Sequence, residues 1–455
     1  MSADTGGPST ADDSTGATTG VTTGEAEVVD LCRDLLRIDT SNFGDDSGPG
    51  ERVAAEHVME LLHEVGLQPE YIEGFPRRGN VVLRIPGEEK ATAERGALLL
   101  HGHLDVVPAQ AADWKVDPFS GEIADGCLWG RGAVDMKDMD AMLLAIVRDM
   151  ARTGRKPPRD LVVAFLADEE AAGVQGADWL VEHRPELFEG VTEAVSEVGG
   201  FSVDLDGQRA YLLQTAEKGL AWLRLVAHGR AGHGSQVGTD NAVTRLCAAV
   251  TRIGGYGWPL EYTATVRQFL EGVSEITGVR FDETDPSALL ATLGTTARWV
   301  GATLQNTSNP TVLDAGYKHN VIPGTATALI DTRFLPGRQE ELMATIRELA
   351  GPRVDVEEVN VSPALETEFA APLVDTMTSA LLAEDPGAKV LPYCLSGGTD
   401  NKSFSRLGIR GYGFAPLRLP AGMDFAGMFH GIDERVPVDA LEFGVRVLQR
   451  FVATC

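Results

Sequence analysis

The chain has 455 residues, 43% of them hydrophobic and 23% charged, which is long enough for two packed cores and has the balance of a soluble globular protein. A formal net charge of -28 excludes a surface built for nucleic acid or for an anionic membrane, and no run of about 18 apolar residues is present to span one. Five cysteines (Cys32, Cys127, Cys247, Cys394 and Cys455) lie far apart with no CxxC pair; together with the lack of a basic-then-apolar leader, they predict a cytoplasmic protein with isolated thiols.

Residues 1–24 are mostly Ser, Thr, Gly and Asp and cannot bury enough apolar surface to order themselves, so a disordered tail is expected. From Glu25 the spacing of Val28, Leu31, Cys32, Leu35 and Leu36 predicts a helix, broken at Asp39-Thr40-Ser41-Asn42. A second helix from about Glu51 carries Val58, Leu61, Leu62 and Val65 on one side and stops at Gly66. Compact apolar runs follow at Val81–Leu83, Leu98–Leu100 and Leu161–Leu166, and an amphipathic helix with Met142, Leu143, Ile146 and Val147 lies between the last two. Strand, helix and strand in this order predict an α/β fold with a mainly parallel mixed sheet between helices.

A change is expected near Lys218-Gly219. Strand Leu220–Ala227, a Gly-rich loop, a helix over 241–254, a helical insertion over 255–305, strand Ala326–Phe334, helix Glu340–Leu349 and strand Val354–Val361 read as a smaller α+β unit. After about Ala364 the first pattern resumes. The expected organisation is a catalytic domain of residues 25–216 and 364–455, interrupted by a lid over 217–363.

Five possible metal ligands sit in short Gly- or acid-flanked motifs. His103 ends an apolar run in Gly102-His103-Leu104-Asp105; Asp135 opens a helix in Gly132-Ala133-Val134-Asp135-Met136-Lys137; Glu170 stands in Asp168-Glu169-Glu170; Glu197 precedes Gly199-Gly200; His430 precedes Gly431. Singly, each has an ordinary reading: a packed histidine, a helix cap, solvated loop acids, a surface histidine. Together, two imidazoles and three carboxylates can hold two divalent ions if one carboxylate bridges, and Glu169 remains to move protons, which suits metal-assisted hydrolysis of an amide or ester. Asp105, two residues beyond His103 on an extended segment, faces the same way and can accept the far N–H of the ring. His101 is expected to point elsewhere, as a structural residue.

In these motifs the chain resembles the dinuclear-zinc metallopeptidases that include aminoacylase, acetylornithine deacetylase, succinyl-diaminopimelate desuccinylase, glutamate carboxypeptidase and carnosine dipeptidase, over about residues 25–455. The resemblance implies that His103 and Glu197 bind one metal, Glu170 and His430 the other, and that Asp135 bridges; Glu169 is then the general base and Asp105 supports His103. It implies a cis peptide between Asp135 and Met136. His233, in Gly229-Arg230-Ala231-Gly232-His233-Gly234-Ser235, is similar to a lid histidine that enters the active site, usually of the partner subunit. Asn320 and Arg333 resemble lid residues that grip a substrate carboxylate, and Gly398 and Thr399 a catalytic-domain loop that touches it. The implied cofactors are two divalent ions, zinc with cobalt or manganese as alternatives, and the implied partners are a small-molecule substrate and a second copy through the lid. Two departures are Asp138, where many members have Gly, and the longer lid.

The expected activity is hydrolysis of the amide bond of an N-acyl amino acid or small peptide with a free carboxylate. Its alternatives are a dipeptidase, a carbamoyl-amino-acid amidohydrolase and, more distantly, a non-catalytic binding protein of the same fold.

Overall fold

The computed structural model describes residues 24–455; the tail expected over 1–24 falls, except for Gly24, outside the described residues. Gly24 opens the helix Gly24–Leu36, which buries Val28, Leu31, Cys32, Leu35 and Leu36. None of the helices is long and apolar enough to cross a membrane, among the described residues.

The chain builds a ten-stranded sheet and a separate four-stranded one. At the centre of the first, Leu161–Leu166, Ala97–His103, Val191–Ser196 and Arg410–Gly413 lie side by side and parallel. Continuous apolar sequence is what such strands need, because both faces are covered. Alternation sorts the side chains: Leu98, Leu100, Leu161, Val163 and Phe165 join the core that contains helices Lys137–Thr153 and Val438–Val452. Leu99, Val162, Ala164 and Leu166 face the other way, onto Leu180, Phe188 and Phe404. The sheet is mixed because Gly79–Ile85 runs antiparallel to Leu161–Leu166 and Gln208–Glu217 antiparallel to Arg410–Gly413.

The four-stranded sheet is antiparallel, in the order Thr307–Ala315, Thr325–Phe334, Gly219–His228, Val354–Ser362. Ala221, Leu223, Leu225 and Ala227 point to helices Ala242–Gly254 and Gln339–Ala350. Leu220 and Trp222 therefore point to the opposite face, where they pair across the ladder with Arg333 and Asp331.

Between these strands comes the helical segment Ala264–Thr277, Ser287–Leu290 and Ala297–Ala302. It is continuous in sequence with the smaller sheet, yet Val266, Phe269, Leu270, Val273, Leu289 and Val300 are buried in the core of the larger one. Its helical character was readable; the surface it would cover was not.

Candidate metal centre

The parallel strands end on one rim, and the candidate ligands stand there. His103 is the last residue of its strand, Glu169 and Glu170 follow Leu161–Leu166, and Glu197 follows Val191–Ser196. Ligand sites in open α/β sheets form at this carboxyl edge. Asp135 lies just before helix Lys137–Thr153, and the Asp135–Met136 peptide is cis, as the resemblance implied. His430 comes from the long loop after Arg410–Gly413. Several turns here use left-handed backbone at residues other than glycine: φ is 70° at Asp168, 52° at Val198 and 56° at His430. A β-branched residue such as Val198 adopts this rarely, and such conformations persist where surrounding contacts impose them. Gly199 has a steric reason: a Cβ there would come within 2.0 Å of the Gly413 carbonyl oxygen.

His103, Asp135 and Glu197 converge as one group, and Asp135, Glu170 and His430 as another; within each, the candidate donor atoms lie within 4.8 Å of one another. Asp135 belongs to both. Its Oδ1 is 3.3 Å from His103 Nε2 and its Oδ2 is 3.3 Å from His430 Nε2. His103 Nε2 lies 3.7 Å from Glu197 Oε2 and 3.9 Å from Glu169 Oε2, while His430 Nε2 lies 3.1 Å from Glu170 Oε2.

These residues fit a pair of divalent ions. His103 Nε2 and Glu197 Oε2 are buried and have no hydrogen-bond partner, although a buried polar atom normally has one. Both belong to the first group. The donors are imidazole nitrogens and carboxylate oxygens, a set that suits zinc, cobalt or manganese. Electrostatics agrees. Burial pushes Glu197 up to about 7 despite the nearby His103, and burial, with the charges of Glu197, Asp400 and Glu170, raises Glu169. Burial alone would lower the His103 ring, but Glu197, Asp105 and Asp135 outweigh it and raise its pKa. Hydrogen bonds to Asp135 and Glu170 carry His430 up to about 10. The acids pull both imidazoles toward their cationic forms, and a divalent ion answers the same demand.

Asp105 is fully buried. His103 Nδ1 lies 3.0 Å from the Asp105 main-chain oxygen and 3.4 Å from its Oδ1, so the far ring nitrogen faces the carbonyl first. The expected carboxylate contact is the longer of the two. The Asp105 carboxylate instead accepts the backbone N–H groups of Glu169 and Glu170, each at 3.1 Å, and so joins the strand end of one ligand to the loop of another. His101 is turned away, with Nε2 3.0 Å from Asn401 Oδ1 and its ring against Phe404. Asp138 sits in the first turn of its helix and is buried.

A cavity of about 560 Å³ opens over the centre. Asp135, Glu169, Glu170, Glu197 and His430 line its floor; Leu220, Trp222 and Arg333 of the smaller sheet line its roof. Arg333 is held by Asp331, with Nε 2.8 Å from Oδ1 and Nη2 3.0 Å from Oδ2. Gly398 and Thr399 also line the cavity. Thr399 donates to Glu217 at 3.1 Å, and a Cβ on Gly398 would lie 2.3 Å from Lys402 Nζ. His233 and Asn320 are not among the lining residues. They lie at the two-stranded ribbon Gly232–His233 and Val321–Ile322, where Gly234 N–H donates to the Asn320 carbonyl at 2.9 Å.

Three supporting residues escaped sequence reasoning. Asn42 donates to Asp105 at 2.9 Å and to Asp168 at 3.0 Å. Glu434 accepts from Arg131 at 2.7 Å and from the backbone of Gly132 and Val134 at 3.1 and 2.8 Å. Lys402, buried beside the cavity, donates to the Lys218 carbonyl at 2.7 Å. Glu434 had a weak signal, an acid four residues after His430; Asn42 and Lys402 had none.

Comparison with known proteins identifies the family and the fold. The model of "Peptidase family M20/M25/M40" matches residues 99–454. The N-fatty-acyl-amino acid synthase/hydrolase PM20D1 of Xenopus tropicalis is 27% identical over 451 residues, covering 92% of this chain and 84% of its own. Aminoacylase-1 of Sus scrofa is 30% identical over 314 residues, 69% of this chain and 67% of its own. Among solved structures, the M20 family metallo-carboxypeptidase Sso-CP2 of Sulfolobus solfataricus superposes with a TM-score of 0.72 at 18% identity, covering 94% of this chain and 98% of its own, which shows a shared fold.

Proposed function

The chain belongs to peptidase family M20/M25/M40 and is a metal-dependent hydrolase of amide bonds, and we propose that it releases free amino acids from N-acyl amino acids. The observation that carries this reading is Asp135, which turns one oxygen to His103 and the other to His430. His103, Asp135 and Glu197 would hold one ion, and Asp135, Glu170 and His430 the second. Bound divalent ions supply acidification of a water and polarisation of the scissile carbonyl.

Glu169 does the proton work. It lines the cavity, lies beside the first group and is no member of either. Burial and neighbouring acids raise its pKa above the usual carboxylate range, the direction in which a carboxyl becomes a better proton acceptor. Its carboxylate takes the proton of the attacking water. The C–N bond then breaks, and the same carboxyl returns that proton to the leaving nitrogen. Asp105 keeps Glu169 in reach by holding its backbone N–H.

Arg333 would hold the free carboxylate of the leaving amino acid. Asp331 fixes its guanidinium at the cavity roof through two donors, leaving others for a carboxylate. Thr399 and the backbone at Gly398 line the same space, and Asn320 would contribute from the ribbon. His233 is exposed, with Nδ1 2.7 Å from Ser235 Oγ, which supports its service in the site of a partner subunit. Val312 and Leu313, 48% and 60% exposed on the edge strand Thr307–Ala315, support a homodimer through this sheet. The five cysteines are unpaired, which supports a cytoplasmic setting.

A panel of N-acetyl amino acids, dipeptides and N-carbamoyl amino acids, run with zinc, cobalt or manganese, tests the reading. Turnover of the acetyl series is expected to lead. Turnover confined to dipeptides or to the carbamoyl series would replace it.

A further inference from the structure

Resting on the amidohydrolase reading, we propose that Lys402 is a specificity-determining residue of this enzyme, a cation that makes the cavity demand a free carboxylate on its substrate. Besides His430, three basic side chains line the cavity: Arg333, Arg406 and Lys402. Two of them are already matched. Asp331 takes two donors of Arg333, and Arg406 Nη1 lies 2.9 Å from Asp178 Oδ1. Lys402 forms no ion pair, among the described residues, and its one hydrogen bond, at 2.7 Å, goes to the neutral carbonyl of Lys218.

An ammonium carries three donors, and a buried cation is normally paired. Lys402 is 8% exposed, so water does not make up the difference. Burial lowers its pKa; the charge of Glu217 offsets part of this, and the charge of Arg333 adds to the lowering. Thr399 already donates to one oxygen of that glutamate. Lys402 and Arg333 therefore repel each other, and an anion bound to both relieves the repulsion.

The loop beside this ammonium leaves room for it. A Cβ at Gly398 would stand 2.3 Å from Lys402 Nζ and 2.6 Å from its Cε. With no side chain there, the charge comes up next to Thr399, in the part of the cavity that takes the carboxylate of the leaving half. Lys402 reaches this place from helix Asn401–Ser405, and Arg333 from the smaller sheet. A carboxylate at this place meets two unused donors of Lys402. A carboxamide in its stead brings no charge to match them.

The experiment compares kcat/KM for N-acetylalanine and N-acetylalaninamide, read as acetate release by zinc-loaded protein. The wild type is expected to favour the acid by at least about 100-fold. Lys402→Met is expected to lower that ratio by about 10–100-fold, the worth of one hydrogen bond between charged groups, with the loss mainly in KM. Gly398→Ala, whose Cβ displaces the ammonium while the charge stays in the protein, is expected to lower it too, and it carries the test where Lys402→Met does not fold. A lysine that only braces the loop, or that acts only on Glu169 through its charge, would slow both substrates alike. A wild type without preference for the acid, or a ratio unchanged in both variants, overturns the proposal.

A second readout needs no turnover. Titration of N-acetylalanine into zinc-loaded Glu169→Gln protein is expected to show binding about 10–100-fold tighter than in the same protein carrying Lys402→Met. Equal binding to the two, or none to either, overturns the role of Lys402. No hydrolysis of any acyl amino acid by the wild type overturns the underlying amidohydrolase reading instead, and the titration then still decides on Lys402.

Discussion

Glu434 accepts a hydrogen bond from Arg131 at 2.7 Å, and the same guanidinium donates to the Gly431 carbonyl at 2.7 Å. Glu434 also takes the backbone N–H groups of Gly132 and Val134. One buried ion pair therefore ties the turn of His430 to the turn of Asp135, the two ligands that face each other at 3.3 Å. Glu434→Ala would leave Arg131 charged, buried and without its carboxylate, a loss of about 3–5 kcal/mol of stability. Glu434→Gln keeps an acceptor and most of the fold, and its expected defect is metal affinity, weaker by about 10–100-fold as for other supporting contacts. Chemical denaturation and metal titration of the two variants separate these effects; equal metal affinity in Glu434→Gln and wild type would remove Glu434 from the support of the site.

Asn42 sits between two buried acids, with its side-chain N–H donors on Asp105 and Asp168. Asn42→Ala leaves both carboxylates short of a donor, at a cost of about 1–3 kcal/mol. Because Asp105 holds the Glu169 and Glu170 backbone, kcat is expected to fall further than the stability loss alone explains. The check is kcat at a temperature where variant and wild type are both fully folded.

Chelation is expected to abolish turnover, and zinc, cobalt or manganese to restore it. Glu169→Gln is expected to keep both ions, since Glu169 stands outside both ligand groups, and to lose about 10²–10⁴ in kcat. Metal content by elemental analysis alongside kcat gives the answer. Near-normal turnover with metal bound would take the proton-transfer role away from Glu169.

Sharing of His233 across a dimer can be seen by mixing. His233→Ala and Glu169→Gln chains are each expected to be nearly inactive, and each mixed dimer to regain one intact site, half the activity of a wild-type dimer, once subunits exchange. Absence of recovery, with exchange verified, would confine His233 to its own subunit.

The parts of the site legible in sequence are those that end an apolar run. His103 ends a buried strand and Glu169, Glu170 and Glu197 follow one, so the apolar run and the break in it mark them before any contact is known. Three strands of the smaller sheet were legible, because Leu220–Ala227 and Ala326–Phe334 alternate; the edge strand Thr307–Ala315, mostly polar or exposed, was not. What holds these ligands was not. Asn42 meets Asp105 across 63 residues of sequence, and Glu434 meets Arg131 across 303, so neither leaves a local pattern. The same limit hid the seat of the helices around Val266 and Phe269. An apolar stripe announces that a surface must be covered and is silent on which one.

The buried acid Glu217 gives the last prediction. Burial pushes its carboxyl up to about 7, against the partial relief of Lys402 and the hydrogen bond from Thr399. In the unfolded chain a glutamate titrates near 4.3. The folded protein therefore retains a proton that the unfolded chain has released, and stability falls as pH rises between these two values. At about 1.4 kcal/mol per unit of pKa difference, the loss from this one group is about 3–4 kcal/mol by pH 8. Glu217→Gln removes the titration while keeping an acceptor for Thr399. Denaturation of metal-free protein at pH 5 and pH 8 is expected to show a shallower decline in the variant than in the wild type. Identical slopes in the two proteins would mean that Glu217 is already ionised at pH 5, with Lys402 close enough to hold it so.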